Sequence, residues 1–282
     1  MTLRVQASGP LTLVEDAGRP GWAHVGVTRS GAADRSAYAL GNRLVGNRPG
    51  AASLEVMLGG LALVADHETT VAVTGAFSRP LLAGREVAYA APVPLRPGDR
   101  LVLQRPDVGL RTYLAVRGGI DVPAVLGSRS TDTLSGLGPA PVRDGDRLPV
   151  GSPLGLAAPA VDVAPVARPS AGPLVLAVTL GPRHDWVDLE GLLARPWVVS
   201  ARSDRVGIRL DGPPVGRPRR AELASEGVVR GGVQIPAGGE PVVFLADHPV
   251  TGGYPVALVL TEAACDEISQ AVPGQEVTLR LA

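Results

Sequence analysis

The sequence contains no lysine: all 27 of its basic residues are arginine, balanced by 27 acidic residues for a formal net charge of zero. That absence excludes Schiff-base catalysis, a phosphate-binding loop of the Gly-Lys-Ser/Thr type, and a lysine carrying biotin or lipoyl on this chain. The single cysteine, Cys265, excludes an internal disulfide and any multi-thiolate zinc or iron–sulfur site, and its place on an apolar helix face reads as core. Zero net charge without a basic run argues against nucleic acid as a partner. The longest apolar stretch, near Leu58 to Ala65, holds two glycines and is far too short to span a bilayer, so no membrane association is expected. The opening MTLRVQASGPLTLVED lacks the charged-then-apolar pattern of a signal peptide, which makes the cytoplasm the expected location. His67-Glu68 has Val71 where a second zinc-binding histidine would stand. There is no G-x-S-x-G nucleophile elbow and no G-x-G-x-x-G between strand and helix, and no metal site is expected.

What the chain has is glycine and proline, 36 and 27 residues, with apolar content drawn mainly from valine, leucine and alanine. Such a composition points to many short strands and turns. Strand-like runs are expected at Leu11 to Val14, Leu54 to Leu58, Leu61 to Val64, Val71 to Thr74, Leu101 to Leu103 and Thr112 to Val116, then at Leu174 to Leu180, Trp197 to Ser200, Val206 to Leu210, Val242 to Ala246, Val256 to Leu260 and Glu276 to Leu281. Prolines at 153, 159, 165, 169 and 173 block helix and central strand alike. The length suits two domains. The expected organisation is an N-terminal β lobe over 1–150, a Pro/Ala-rich linker over 151–172 and a C-terminal β lobe over 173–282.

Three helices are expected. One follows Ser30-Gly31, with Ala33, Ala37, Leu40 and Leu44 at helical spacing, Asp34 in its first turn and Gly46 as its stop. A second runs from Asp185 through Trp186, Leu189 and Leu193 to Pro196, and a third starts at Thr261 with Ala264, Cys265, Ile268 and Val272 on one face. Pro97-Gly98-Asp99-Arg100, Asp144-Gly145-Asp146-Arg147 and Pro273-Gly274-Gln275-Glu276 read as one repeated device, a glycine turn entering a strand.

Polar chemistry concentrates in three stretches. EDAGRPGWAHVGVTRSGAADRSAYALGNRLVGN, from Glu15 to Asn47, joins a glycine-rich loop to a helix, a junction that suits an anion. SDRVGIRL, from Ser203, sets a carboxylate and a guanidinium ahead of a strand, and SEGVVRGGVQIP with ADHPVTGGYP ends two strands in Gln, Asp, Thr, Gly and Tyr. Polar groups at strand ends converge on the mouth of a β domain, where small-molecule sites form. Spacing alone therefore gives a two-lobed, mainly β protein with a small-molecule site.

These stretches, with LEVMLGG, resemble the allophanate hydrolase subunit 2 family, also called the KipA family or the family of 5-oxoprolinase C subunits, and are similar to the matching half of the carboxyltransferase domain of urea carboxylase. The likeness runs in order from about Leu3 to Leu281. It implies a mainly β protein of cyclophilin-like barrel character that works with a sister protein, the oxoprolinase B subunit (allophanate hydrolase subunit 1, KipI-like), and with a separate A subunit. The implied activity is ATP-dependent hydrolysis of the cyclic amide 5-oxoproline to glutamate, with ATP and Mg shared with a partner and no biotin bound covalently to this chain. A carboxyltransferase half-site and a regulatory partner of a sensor-kinase inhibitor are the alternatives. Carried over by motif, Asp34, Asp247 and Gln234 are the expected catalytic residues. Arg19, His24, Arg29, Ser30, Asn42, Ser203, Asp204, Arg205, Glu226, Thr251, Gly252 and Tyr254 are the expected substrate-binding residues. Ala17, Ala33 and Arg230 depart from the family's usual residues without removing a polar signature position.

Overall fold

The computed structural model describes residues 1–219 and 221–282. The protein is mainly β, as its composition implies, and it divides into two compact units. The first comprises Met1–Arg19, Asp34–Asp132 and Gly136–Pro169; the second comprises Pro20–Ala33, Thr133–Ser135 and Ser170–Ala282. Two short pieces of the N-terminal half, among them most of the glycine-rich loop, thus belong to the second unit.

The first unit holds a six-stranded and a five-stranded sheet. At the centre of the five-stranded sheet lies the strand Val108–Val116, paired antiparallel with Ser53–Met57 on one side and Thr69–Phe77 on the other. Its core is aliphatic: Leu54, Val56, Leu63, Val71, Leu101 and Leu114 are buried in one cluster. Ser53–Met57 is buried on both faces. Glu55, on the face opposite Leu54 and Val56, therefore needs partners. It accepts a hydrogen bond from the Tyr113 hydroxyl at 2.7 Å and lies 3.4 Å from Arg111 Nε. Burial, followed by the Glu55 and Asp34 charges, pushes the Tyr113 phenol well above its ordinary value, so it remains a donor to Glu55. The strand Thr2–Ser8, which the sequence reading does not anticipate, pairs with Leu61–Ala65.

Helix α1, Arg35–Leu44, begins slightly later than expected: Asp34 is its N-cap rather than a first-turn residue, accepting from Ala37 N at 2.9 Å, Ala33 lies ahead of the helix, and Gly46 is in the left-handed region just beyond Val45. The proline-rich segment carries no regular structure, yet it runs as part of the first unit: Arg117 donates to Ala157 O and Leu156 O, Ala164 N donates to Ala90 O, and Arg168 stacks on Phe77.

The second unit is built on a closed seven-stranded barrel. The strands Leu174–Leu180, Val256–Leu260 and Glu276–Leu281 have the expected bounds. The first of these pairs in parallel with the last, and that pairing closes the barrel. Leu176, Val178, Trp197, Ile208, Val233, Val243 and Leu258 fill the interior. Helix α2 is shorter and later than the sequence suggests. A 3-10 turn takes His184–Trp186, and α2 runs over Leu189–Leu193 with Asp188 rather than Asp185 as its cap. Asp188 accepts from Gly191 N, and it stands the correct number of residues ahead of the apolar pair Leu192 and Leu193. Helix α3, Glu262–Ser269, starts after Thr261 as expected and buries Ala264, Cys265 and Ile268.

The three glycine turns share one construction. Gly98, Gly145 and Gly274 adopt φ of 88°, 87° and 87°, and strands begin two residues later, at Arg100, Arg147 and Glu276. In each, the residue after glycine accepts the backbone N–H three positions earlier: Asp99 from Arg96, Asp146 from Arg143 and Gln275 from Val272. Among the described residues no helix is long and apolar enough to cross a membrane.

Candidate functional site

In the second unit the glycine-rich loop and the barrel meet at one buried carboxylate. Asp247 is fully buried, just past the strand Val242–Phe244, and receives five hydrogen bonds. Ser30 Oγ donates to Oδ1 at 2.7 Å, Thr133 donates to Oδ2 through its backbone N–H at 3.0 Å and its hydroxyl at 2.7 Å, and Arg205 donates through Nε at 2.9 Å and Nη2 at 3.2 Å. The same Arg205 Nη2 reaches the Gly31 carbonyl at 2.7 Å. Arg205 is itself buried, so the pair is a desolvated, forked ion pair with every near lone pair engaged.

Burial alone would push the Asp247 carboxyl up. The charge of Arg205 and the hydrogen bonds from Arg205, Thr133 and Ser30 outweigh it and hold the group below its ordinary value. A carboxyl with a depressed folded pKa contributes stability above its unfolded value of about 3.9, and that contribution is lost as pH falls through the lower folded value. Chemical denaturation between pH 7 and pH 2.5 should therefore show an acid loss of stability that Asp247→Asn flattens; identical acid limbs in the two proteins would contradict the assignment.

Ser30 adopts φ of 52°, the left-handed region that a side chain with a Cβ rarely occupies, and Gly31 follows at 95°. Such a conformation costs on the order of 1–3 kcal/mol and persists where the surroundings enforce it. Here the enforcing groups are Asp247 on the Ser30 hydroxyl, Arg205 on the Gly31 carbonyl and Arg230 on the Ala33 carbonyl at 2.7 Å. Arg230 is anchored in turn by Asp266 at 2.6 Å and Glu262 at 2.9 Å of α3. Two buried arginines thus fix the turn through its carbonyls.

The remaining expected site residues of the second unit separate from this cluster. Glu226 pairs with Arg183, and the strand Glu226–Gly227 pairs with Thr251–Gly252. Gln234 Nε2 donates to the Tyr254 carbonyl at 3.1 Å, while the Tyr254 ring is exposed beneath Arg217. Asp204 serves its own turn by accepting from Val206 N and Gly207 N, and Ser203 Oγ accepts from Arg209 N. His24 lies exposed in a 3-10 turn, stacked on Trp22, and Arg29 is exposed as well.

In the first unit, Asp34 caps α1, and its backbone N–H donates to Tyr113 Oη at 2.8 Å. Asn42 Nδ2 donates to Ala51 O and Ser53 Oγ, and its Oδ1 accepts from Asn47, so it ties α1 to the neighbouring strand. Arg19 is buried beside a second carboxylate cluster. Asp16 accepts from Ser128 Oγ, Ser130 Oγ, Gly18 N and Arg129 N, all within 2.6–2.7 Å. Arg19 donates to the Ser130 carbonyl and stands 3.8 Å from Asp132. Sequence reasoning passes over Asp16, Ser128, Ser130, Asp132 and Thr133. The signal is present in SRSTDT, six polar residues in succession starting at Ser128.

Residues 25–281 match the family model for the carboxyltransferase domain, subdomain A and B. The chain belongs to this family. It is 36% identical to the 5-oxoprolinase C subunit of Escherichia coli strain K12, over 98% of this chain and 89% of that protein. It is 32% identical to urea amidolyase of Saccharomyces cerevisiae, over 98% of this chain but 16% of that protein. The crystal structure of Kluyveromyces lactis urea carboxylase superposes with a TM-score of 0.89 at 32% identity, covering 99% of this chain and 27% of that one. The chain thus spans nearly the whole length of the bacterial relative and a minor part of the fungal ones.

Proposed function

We propose that this chain is the C subunit of a 5-oxoprolinase, acting with its sister B and A subunits in the ATP-dependent opening of 5-oxoproline to glutamate. The observation that carries the reading is the end-to-end match to the Escherichia coli oxoprolinase protein. The intact polar cluster around Ser30, Arg205 and Asp247 supports it. With five donors on its oxygens, Asp247 has no lone pair aimed outward to take a proton, so its role in this reading is positioning: it holds the Ser30 hydroxyl and, through Arg205, the strained turn.

In this reading the nucleotide and its magnesium are shared with a partner protein, as the family resemblance implies, and no step is derived through them. The test is phosphate release by this chain co-purified with its sister B subunit, supplemented with the A subunit. Turnover should require 5-oxoproline, and Ser30→Ala should lower kcat at least tenfold with the fold intact. Turnover that ignores 5-oxoproline but responds to urea would favour a carboxyltransferase half-site, the reading to which the urea amidolyase relatives point.

A further inference from the structure

In the second unit, residues 20–26 are exposed without interruption, and among them stand Trp22, His24 and Val25. The loop is nevertheless ordered by its own bonds. Val25 N donates to Trp22 O at 3.1 Å, Gly26 N to Ala23 O at 3.0 Å and Val27 N to Trp22 O at 3.2 Å around the 3-10 turn Ala23–Val25, which Gly26 ends at φ of 81°. Residues three apart eclipse in a 3-10 turn, so Trp22 and Val25, 36% and 59% exposed, share one side. The His24 ring stacks on the indole with centroids 6.3 Å apart. A carbonyl can only accept, so the 3.0 Å contact of His24 Nδ1 with Gly21 O makes Nδ1 the donor and leaves Nε2 the acceptor of the neutral ring. At its foot the loop is fixed by the Ser30-Gly31 turn, which Asp247 and Arg205 enforce. The result is a convex knob, ordered before any partner arrives. Small molecules bind in concave sites that enclose most of their surface, and an exposed loop tip encloses none. Protein interfaces concentrate their affinity in a few anchors, tryptophan foremost, that enter a recess of the partner, and an anchor ordered beforehand loses little entropy on binding.

We infer that residues 20–26 dock the sister B subunit, with Trp22 as the central anchor, Val25 beside it and His24 Nε2 accepting a hydrogen bond from the partner. The choice of occupant rests on the oxoprolinase reading; the shape and chemistry of the knob do not. Two relatives support that choice. The Escherichia coli protein, matched over 89% of its length, is a C subunit, and in Kluyveromyces lactis urea carboxylase the same fold unit is 27% of a longer chain. The surface that fits the loop is an apolar recess wide enough for an indole, with a hydrogen-bond donor at its rim. Docking there also brings the partner to the buried cluster. Only four residues lead from Gly26 to Ser30, a reach of at most about 14 Å, so a protein seated on the knob lies beside the turn that Asp247 and Arg205 hold.

The experiment is calorimetric titration of the full chain with the purified sister B subunit, for the unmodified protein, Trp22→Ala and Val25→Ser, together with hydroxyl-radical footprinting of the unmodified chain alone and in the complex. Trp22→Ala should weaken binding by at least about 30-fold, the loss expected of an interface anchor, and Val25→Ser by less. Both variants should melt at the temperature of the unmodified protein, because the two side chains are exposed and the loop's backbone bonds do not depend on them. In the complex Trp22 should be protected from oxidation, a readout that needs no variant to fold. Unchanged affinity of Trp22→Ala, or a Trp22 oxidised as readily in the complex as alone, would overturn the docking surface and leave the oxoprolinase reading standing. If the unmodified chain does not bind the sister B subunit at all, both fall together. Protection of Trp22 that then rises with the concentration of this chain alone would assign the knob to a second copy instead.

Discussion

Asp247→Asn should destabilise the protein by about 3–5 kcal/mol, because it removes the charge that compensates the buried guanidinium of Arg205. The loss is larger than the pair is worth. An ion pair taken out of water carries a desolvation cost on both partners, and removal of one leaves the other with the whole cost. The neutral amide also places an N–H₂ where Ser30, Thr133 and Arg205 all present donors, so at least one of those contacts becomes a repulsion. A double-mutant cycle identifies the mechanism. Arg205→Met combined with Asp247→Leu should recover much of the loss by equilibrium denaturation, since neither charge then remains. If the double variant is as unstable as the sum of the two single ones, the charge explanation fails and the cost belongs to packing.

Trp197→Ala should cost a similar amount, about 3–5 kcal/mol, by a different route. Trp197 is the largest fully buried side chain of the protein and fills the barrel where α2 crosses it, its Nε1 donating to the Leu192 carbonyl at 3.0 Å. The chain is shaped around the ring: a Cβ on Gly212 would stand 2.7 Å from it, so Gly212 cannot be replaced while the indole stays in place. Truncation leaves a cavity and an unsatisfied carbonyl together. No second substitution that removes a charge should rescue it, whereas Trp197→Phe, which keeps most of the volume, should recover part of the loss. A truncation costing less than about 1 kcal/mol would mean that the barrel collapses onto the vacated space.

The two effects also mark what could be read from the sequence. Apolar periodicity places most of the long strands, because burial dictates residue type at every second position, and it places α3, because Thr261 is a cap residue directly ahead of the helix, and α1 to within a turn, with Asp34 its cap rather than a first-turn residue. It misplaces the start of α2, where Asp185 and Asp188 are both plausible caps and only the packing of Leu192 chooses between them. Thr2–Ser8 is legible too, since Leu3, Val5 and Ala7 alternate with Arg4 and Gln6 as a half-buried strand requires, and the sequence reading passes over it. Within the candidate site, Asp247, Arg205 and Ser30 are legible as signature positions. Their convergence is not, since 217 residues separate Ser30 from Asp247, and no local pattern encodes a contact at that range. Thr133 is invisible for the same reason: it contributes a backbone N–H as well as a hydroxyl, and a backbone group leaves no trace in residue identity.

That separation sets an order of events during synthesis. At about 5–20 residues per second, roughly 10–45 s pass between the emergence of Ser30 and that of Asp247, and the barrel that carries Asp247 closes only when its first strand meets Glu276–Leu281. Throughout that interval the strained Ser30-Gly31 turn lacks the carboxylate and the guanidinium that enforce it. The nascent loop is then free to relax to ordinary backbone angles, and its working conformation is among the last features of the molecule to form.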